Sequence, residues 1–114
     1  MSPFDFSSAL PMMNVQQLKA IRDAGEPHVI LDVREARELA AASLGDVLHM
    51  PLMTVPSRVD EIPRDLPVVI MCHHGIRSMN AVQWLKGNGF DNVINLTGGI
   101  SAWAKEIDPS VGSY

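Results

Sequence analysis

The chain is short of four things, and each shortage closes a class of function. It has one cysteine, Cys72, so no internal disulfide can staple it. It has no basic stripe: nine Lys and Arg are mixed among thirteen Asp and Glu, for a net charge of −4. That balance argues against a nucleic-acid partner. No apolar run approaches the ~20 residues needed to span a bilayer, so no membrane role is expected. There is no repeat, low-complexity tract or linker, and 114 residues fit one domain. The opening "MSPFDFSSALPMM" has no positive region and carries an acid, so it does not read as a signal peptide. Together these features predict a soluble protein in a reducing cytoplasm.

What is present is a chain 46% apolar, with clear punctuation. Asn14 suits the N-cap of "VQQLKAIRDAG", where Val15, Leu18 and Ile21 recur at helical spacing and Gly25 is a natural stop. "HVILDV" at 28–33 reads as a buried strand. "REARELAAA" at 34–42 is rich in helix formers, and Gly45 ends that stretch. "VLHMPL" at 47–52 holds a further short strand, and "VPSRVDEI" a weak helix with Pro56 in its first turn. "PVVIMC" at 67–72 is the clearest strand, followed by the helix "RSMNAVQWLKGNGF" with Ala81, Val82 and Leu85 on its apolar face. "NVINL" at 92–96 is a strand, and "GGISAWAKEI" a glycine turn and last helix. Strands alternating with helices predict an α/β fold with a largely parallel sheet. Residues 1–13 read as a lead-in, 14–107 as the domain and 108–114 as a tail.

Open α/β sheets gather ligands at the carboxyl ends of their strands. Cys72 sits at such an end, after "VVIM", followed by the short loop His73-His74-Gly75-Ile76 and by Arg77 and Ser78 at a helix start. A turn this tight aims backbone N–H groups inward as a nest for negative charge. Gly75 permits a backbone angle that a side chain forbids. The helix start contributes its positive dipole end, and Arg77 a full charge. All three favour thiolate over thiol and would stabilise an anion built on the sulfur, such as a persulfide. A lone cysteine is often only a core residue, but this context points to a nucleophile. Cys72, His73, His74 and His49 are all ligand types, yet adjacent histidines diverge and no C-x-x-C or H-x-x-x-H pair exists. No metal and no cofactor is expected.

With "LDVRE" at 31–35, "HMPL" at 49–52, "VVIMCHHGIRS" at 68–78 and "NLTGGISAW" at 95–103, the chain resembles the rhodanese-like sulfurtransferase family over nearly its whole length. The resemblance implies a parallel sheet of about five strands with helices on both faces. It also implies that Cys72 takes a sulfane sulfur from a donor such as thiosulfate. The persulfide would pass it to a thiophilic acceptor, cyanide in vitro and a thiol or protein in the cell, in two half-reactions. Related phosphatases and arsenate reductases have a loop one residue longer. The four residues between Cys72 and Arg77 make a smaller ring, better suited to sulfur than to a phosphoryl group. One departure stands out: "ASLGDV" at 42–47 places Ser43 where many members carry a histidine, so local repacking is expected there. A non-catalytic binding or redox-sensing module, and a small phosphatase or arsenate reductase, are the alternative readings.

The remaining residues divide between site and scaffold. Arg77 is expected to shape the loop and its field rather than make an ordinary surface pair. Asp32 is a supporting candidate near the loop, although capping the "REARELA" helix is its more ordinary use. Arg34 and Glu35 read as surface charge. His73 and His74 are expected to act through backbone N–H groups more than through their rings. Ile76 would shield the sulfur or offer an apolar lip. Gly98 and Gly99 read as a turn, Trp103 as core, and Trp84 as a half-exposed contact point. The seven methionines are scattered, as adaptable filler would be.

Overall fold

Local sequence chemistry sets the first helix. In the computed structural model, which describes residues 4–114, Asn14 Oδ1 accepts from Gln17 N at 2.8 Å and Gln17 Oε1 accepts from Asn14 N at 2.8 Å. This reciprocal capping box opens α1, Val15–Asp23, and the 3–4 spacing buries Val15, Leu18 and Ile21, as the sequence predicts. Residues 1–3 of the expected lead-in lie outside the described residues.

Five strands follow the apolar runs: β1 Met12–Met13, β2 Val29–Asp32, β3 Leu48–His49, β4 Val68–Met71 and β5 Val93–Leu96. They form one sheet in the order β1-β5-β4-β2-β3, every pairing parallel. The other helices are α2 Ala36–Ala41, α3 Ile76–Gly87 and α4 Gly99–Glu106. Side-chain alternation along central β4 sorts the core. Val69 and Met71 join Leu18, Ile21, Ile100 and Trp103 on the α1/α4 face. Val68, Ile70 and Cys72 join Ala81, Val82 and Leu85 on the α3 face. Helices therefore cover both faces of a five-stranded parallel sheet, the expected architecture.

Four local readings change. β1 is a strand inside the stretch read as lead-in; two residues carry no alternation to detect, and pairing with β5 creates it. Phe4 also enters the core. "VPSRVDEI" is not an α-helix but overlaps two 3₁₀ segments, Leu52–Ser57 and Val59–Glu61, with Pro56 inside the first. Pro56 has no N–H to continue an α ladder, and 3₁₀ geometry tolerates this in short pieces. α2 starts at Ala36 rather than at Arg34, because Glu35 takes the N-cap and exchanges bonds with Glu38. The tail folds back on the domain: Pro109–Val111 forms a 3₁₀ turn, Ser43 N donates to Val111 O at 3.0 Å, and Gly112 bridges Ala42. Ser43, at the departure from the family pattern, is thus held by the tail. Among the described residues no helix is long and apolar enough to cross a membrane.

Candidate active site

Parity along β4 turns Cys72 toward the α3 face, and the next residues must then leave the sheet. What fixes the path of the loop is the first turn of α4. Its N–H groups have no partner within their own helix. Ile100 N donates to Cys72 O and Ser101 N to His73 O, both at 3.0 Å. With these carbonyls turned outward, amides later in the loop turn inward. Gly75 N donates to Cys72 Sγ at 3.1 Å and Ser78 N at 3.4 Å, while Ser78 Oγ lies 3.4 Å from the sulfur. Gly75 adopts φ +108°, a conformation L side chains rarely take, and caps α3. Gly99 is constrained more tightly: a Cβ there would sit 2.3 Å from Cys72 O and 2.5 Å from His73 O.

Opposing effects act on the sulfur. Burial pushes the Cys72 thiol up, but the Ser78 hydroxyl and the backbone N–H groups of Ser78, Gly75 and His74 pull it down further. The net result is a thiol held below its ordinary value. Cys72 exposes only 1% of its surface, so the sulfur lies under the loop rather than on it.

The outer side of the loop is built differently, from charge. Arg77 donates to both carboxylate oxygens of Glu38, at 2.7 and 2.8 Å, tying α3 to α2. The Arg77 bonds hold the Glu38 carboxyl well below the usual carboxylate range, and Tyr114 helps. Tyr114 O–H donates to Glu38 Oε2 at 2.7 Å and accepts from Arg34 Nη1 at 3.1 Å, while its ring stacks on His73 at 4.1 Å. Burial lowers the His73 pKa, and the neighbouring His74 adds to the effect. The Arg77 side chain therefore bonds Glu38, and the groups bonded to the sulfur are neutral.

Two expectations are overturned nearby. Arg34 is not surface charge but wholly buried, while Glu35 is exposed as read. Asp32, also wholly buried, does not cap α2; its carboxylate accepts from Arg34 N, Nε and Nη2. Nη2 also donates to Ala42 O at 2.8 Å. The fork of Arg34 spans β2, the end of α2 and the tail, and so needs its counter-ion buried with it. Among the described residues, hydrogen bonds link Asp32 to the loop through Arg34, Tyr114 and Glu38. Ile76 is 68% exposed at the lip of the loop, Trp84 is 39% exposed, and Trp103 is core. Trp84 borders a cavity of about 200 Å³ lined by Leu52, Val55, Pro56, Asn80 and Ala81. His49 turns its ring to Arg34 O at 2.7 Å. Among the described residues, no group of three or more His, Cys, Asp or Glu is placed to hold a metal ion.

Sequence reading missed Glu38, Tyr114, Asn95 and the loop contact of Gly99. Glu38 and Tyr114 carry no local signal, because Glu38 meets Arg77 across 39 positions and Tyr114 across 76. Asn95 did carry one: it is a polar residue inside the strand "VINL". Its Oδ1 accepts from Ser78 Oγ and its Nδ2 donates to Gly75 O. The Gly98-Gly99 pair before a helix was a second sign of close backbone approach.

A parallel α/β sheet whose central strand ends in a buried cysteine, cradled by inward amides of a four-residue loop, defines a small cysteine-loop α/β domain. The chain belongs to the rhodanese-like domain family, whose model matches residues 14–106. It is 41% identical over 86 residues to a sulfurtransferase of Allochromatium vinosum, covering 75% of this chain and 80% of the relative. It is 36% identical over 102 residues to the putative sulfur carrier protein YrkF of Bacillus subtilis, covering 90% of this chain and 55% of the relative. The crystal structure of a rhodanese-related protein from Thermoplasma volcanium superposes with a TM-score of 0.76 at 30% identity, over 84% of this chain and 92% of that one.

Proposed function

We propose that the chain is a sulfurtransferase that carries sulfur as a persulfide on Cys72. The observation that carries this reading is the pair of N–H groups, Gly75 and Ser78, aimed at one sulfur. Two donors and a Ser78 hydroxyl around a single atom stabilise negative charge there. In the first half-reaction Cys72 thiolate attacks the outer sulfur of thiosulfate. A new S–S bond forms, the old one breaks, and sulfite leaves with the electron pair. In the second, an acceptor thiolate, or cyanide in vitro, attacks the terminal sulfur and returns Cys72 as thiolate. No oxidant, metal or cofactor enters the balance.

The loop residues divide the work. His74, Gly75 and Ser78 supply backbone or hydroxyl dipoles, and the His73 ring packs on Tyr114. Ile76 forms an apolar lip, and Arg77, locked to Glu38, holds the loop against α2. Asp32 supports this arrangement through Arg34. Cys72 is buried, and His74 and Ile76 are the exposed residues of the loop that follows it. A thiol or a protein is the cellular acceptor; likeness to a putative sulfur carrier protein supports a protein one. A reducing cytoplasm suits a carrier whose only cysteine must stay free.

Incubation with thiosulfate, followed by intact mass measurement without reductant, tests the reading. A gain of about 32 Da, one sulfur atom, is expected in the wild type and not in Cys72→Ser. No gain across several sulfane donors would overturn it. The burial of Cys72 favours one rival, a module that binds a partner without catalysis; a redox-sensing role, the other rival, calls for an accessible thiol. Repeated turnover of thiosulfate and cyanide separates the sulfurtransferase from both, since a sensor reacts once and stops.

A further inference from the structure

The hydrogen bonds beneath the loop fix more than the shape of the site. Gly75 O can only accept, so the Asn95 side-chain nitrogen must face it, as the 3.2 Å contact requires. That orientation leaves Asn95 Oδ1 facing Ser78 Oγ in a short hydrogen bond. A carbonyl oxygen also only accepts, so the single hydroxyl proton of Ser78 goes to Asn95. Ser78 then turns lone pairs toward Cys72 Sγ, 3.4 Å away, and the bond between them is S–H to oxygen. This is the correct arrangement for a thiol and the wrong one for a thiolate. Ionised sulfur has no proton to give and would meet the lone pairs of Ser78.

We propose that Asn95 is a positioning residue that competes with Cys72 for the Ser78 hydroxyl proton. While Cys72 is a thiol, Asn95 holds that proton. When the thiol loses its own proton to solvent, the Ser78 hydroxyl rotates to donate to the sulfur and leaves Asn95 Oδ1 behind. Asn95 is 6% exposed, so little water can replace the lost donor. Asn95 therefore resists ionisation that the amides of Gly75 and Ser78 promote. The resting sulfur is kept less reactive than the amides alone would make it. Asn95 lies on β5, outside the loop, and touches no reacting atom. The proposal rests on Cys72 as sulfur carrier for its catalytic meaning, but its test needs no sulfur donor and so stands apart from that reading.

The test is the pH profile of Cys72 alkylation by iodoacetamide in Asn95→Leu, Ser78→Ala and the double variant. Leu keeps volume without an acceptor, and Gly75 O retains its bond from Met79 N at 3.2 Å. The charged and titratable groups facing the loop, Arg77 on α3, Glu38 on α2, His73, His74, Arg34 and Tyr114, are the same in all variants. Asn95→Leu is expected to move the profile to lower pH and to speed alkylation below the wild-type midpoint by about threefold or more. Ser78→Ala is expected to move it to higher pH, and Asn95→Leu on that background to add no shift. An unchanged or raised midpoint in Asn95→Leu, or an equal shift without Ser78, overturns the proposal. Should Asn95→Leu fail to fold, the wild type decides by carbon NMR. The Asn95 side-chain carbonyl shift is expected to titrate with Cys72, and a flat response overturns the proposal.

Discussion

The two walls of the active loop are built from opposite materials. The inner wall consists of neutral donors held by glycines: Gly75 N and Ser78 N on the sulfur, with α4 amides on the carbonyls behind. The outer wall consists of ion pairs spanning distant segments: Asp32 with Arg34, and Glu38 with Arg77, joined by Tyr114. The difference separates two tasks. Neutral dipoles aimed at the sulfur hold its thiol below the ordinary value. Charged side chains, whose partners neutralise them, set where the loop sits. Changes to the outer wall should thus be read mainly in stability, and changes to the inner wall in thiol chemistry as well.

The largest expected break is Arg34→Met. It leaves the Asp32 carboxylate buried without its counter-ion, and both side chains are wholly buried. A loss of about 3–5 kcal/mol is expected, measured by urea unfolding. A loss under about 1 kcal/mol would mean that the pair does not anchor the outer wall.

Next is Gly99→Ala, which belongs to the inner wall. The added Cβ would collide with Cys72 O and His73 O, and φ of +58° adds strain. A loss of about 2–4 kcal/mol is expected. Unlike Arg34→Met, it should also raise the Cys72 midpoint by pushing the amides off the sulfur. Stability lost with thiol titration unchanged would erase the distinction between the walls.

The smallest effect is that of Glu38→Gln. The Arg77 side chain is 37% exposed, so water screens the pair and about 1 kcal/mol is expected at neutral pH. The pH dependence has a definite sign. The folded Glu38 carboxyl lies below its ordinary value of 4.5, so its contribution is complete above that value. It is lost as pH falls through the folded value. The stability gap between wild type and Glu38→Gln should hold constant from neutral pH to about pH 5.5 and narrow below it. A gap that widens on acidification would contradict the pairing.

The same contrast explains what the sequence could reveal. The inner wall is local: Cys72 to Ser78 spans one strand end, one turn and one helix start, and its residue types advertise each of those. The sheet was legible for a similar reason, since "HVILDV", "PVVIMC" and "NVINL" are apolar runs bounded by breakers. The outer wall is assembled across the fold. Arg34 read as surface charge because nothing adjacent announced that the tail and Glu38 would close over it. Asp32 read as a cap because Asp before a helix usually is one, and only burial made Arg34 its better partner. β1 was invisible because two residues have no period.

The central claim is that neutral donors keep a buried sulfur ionisable. It is tested most directly by titrating the thiolate absorbance of Cys72 in the wild-type chain, which has no other cysteine to confuse the signal. The predicted midpoint lies below that of an ordinary cysteine thiol. A midpoint at or above that value would mean that burial outweighs the amides and that the loop does not activate its sulfur.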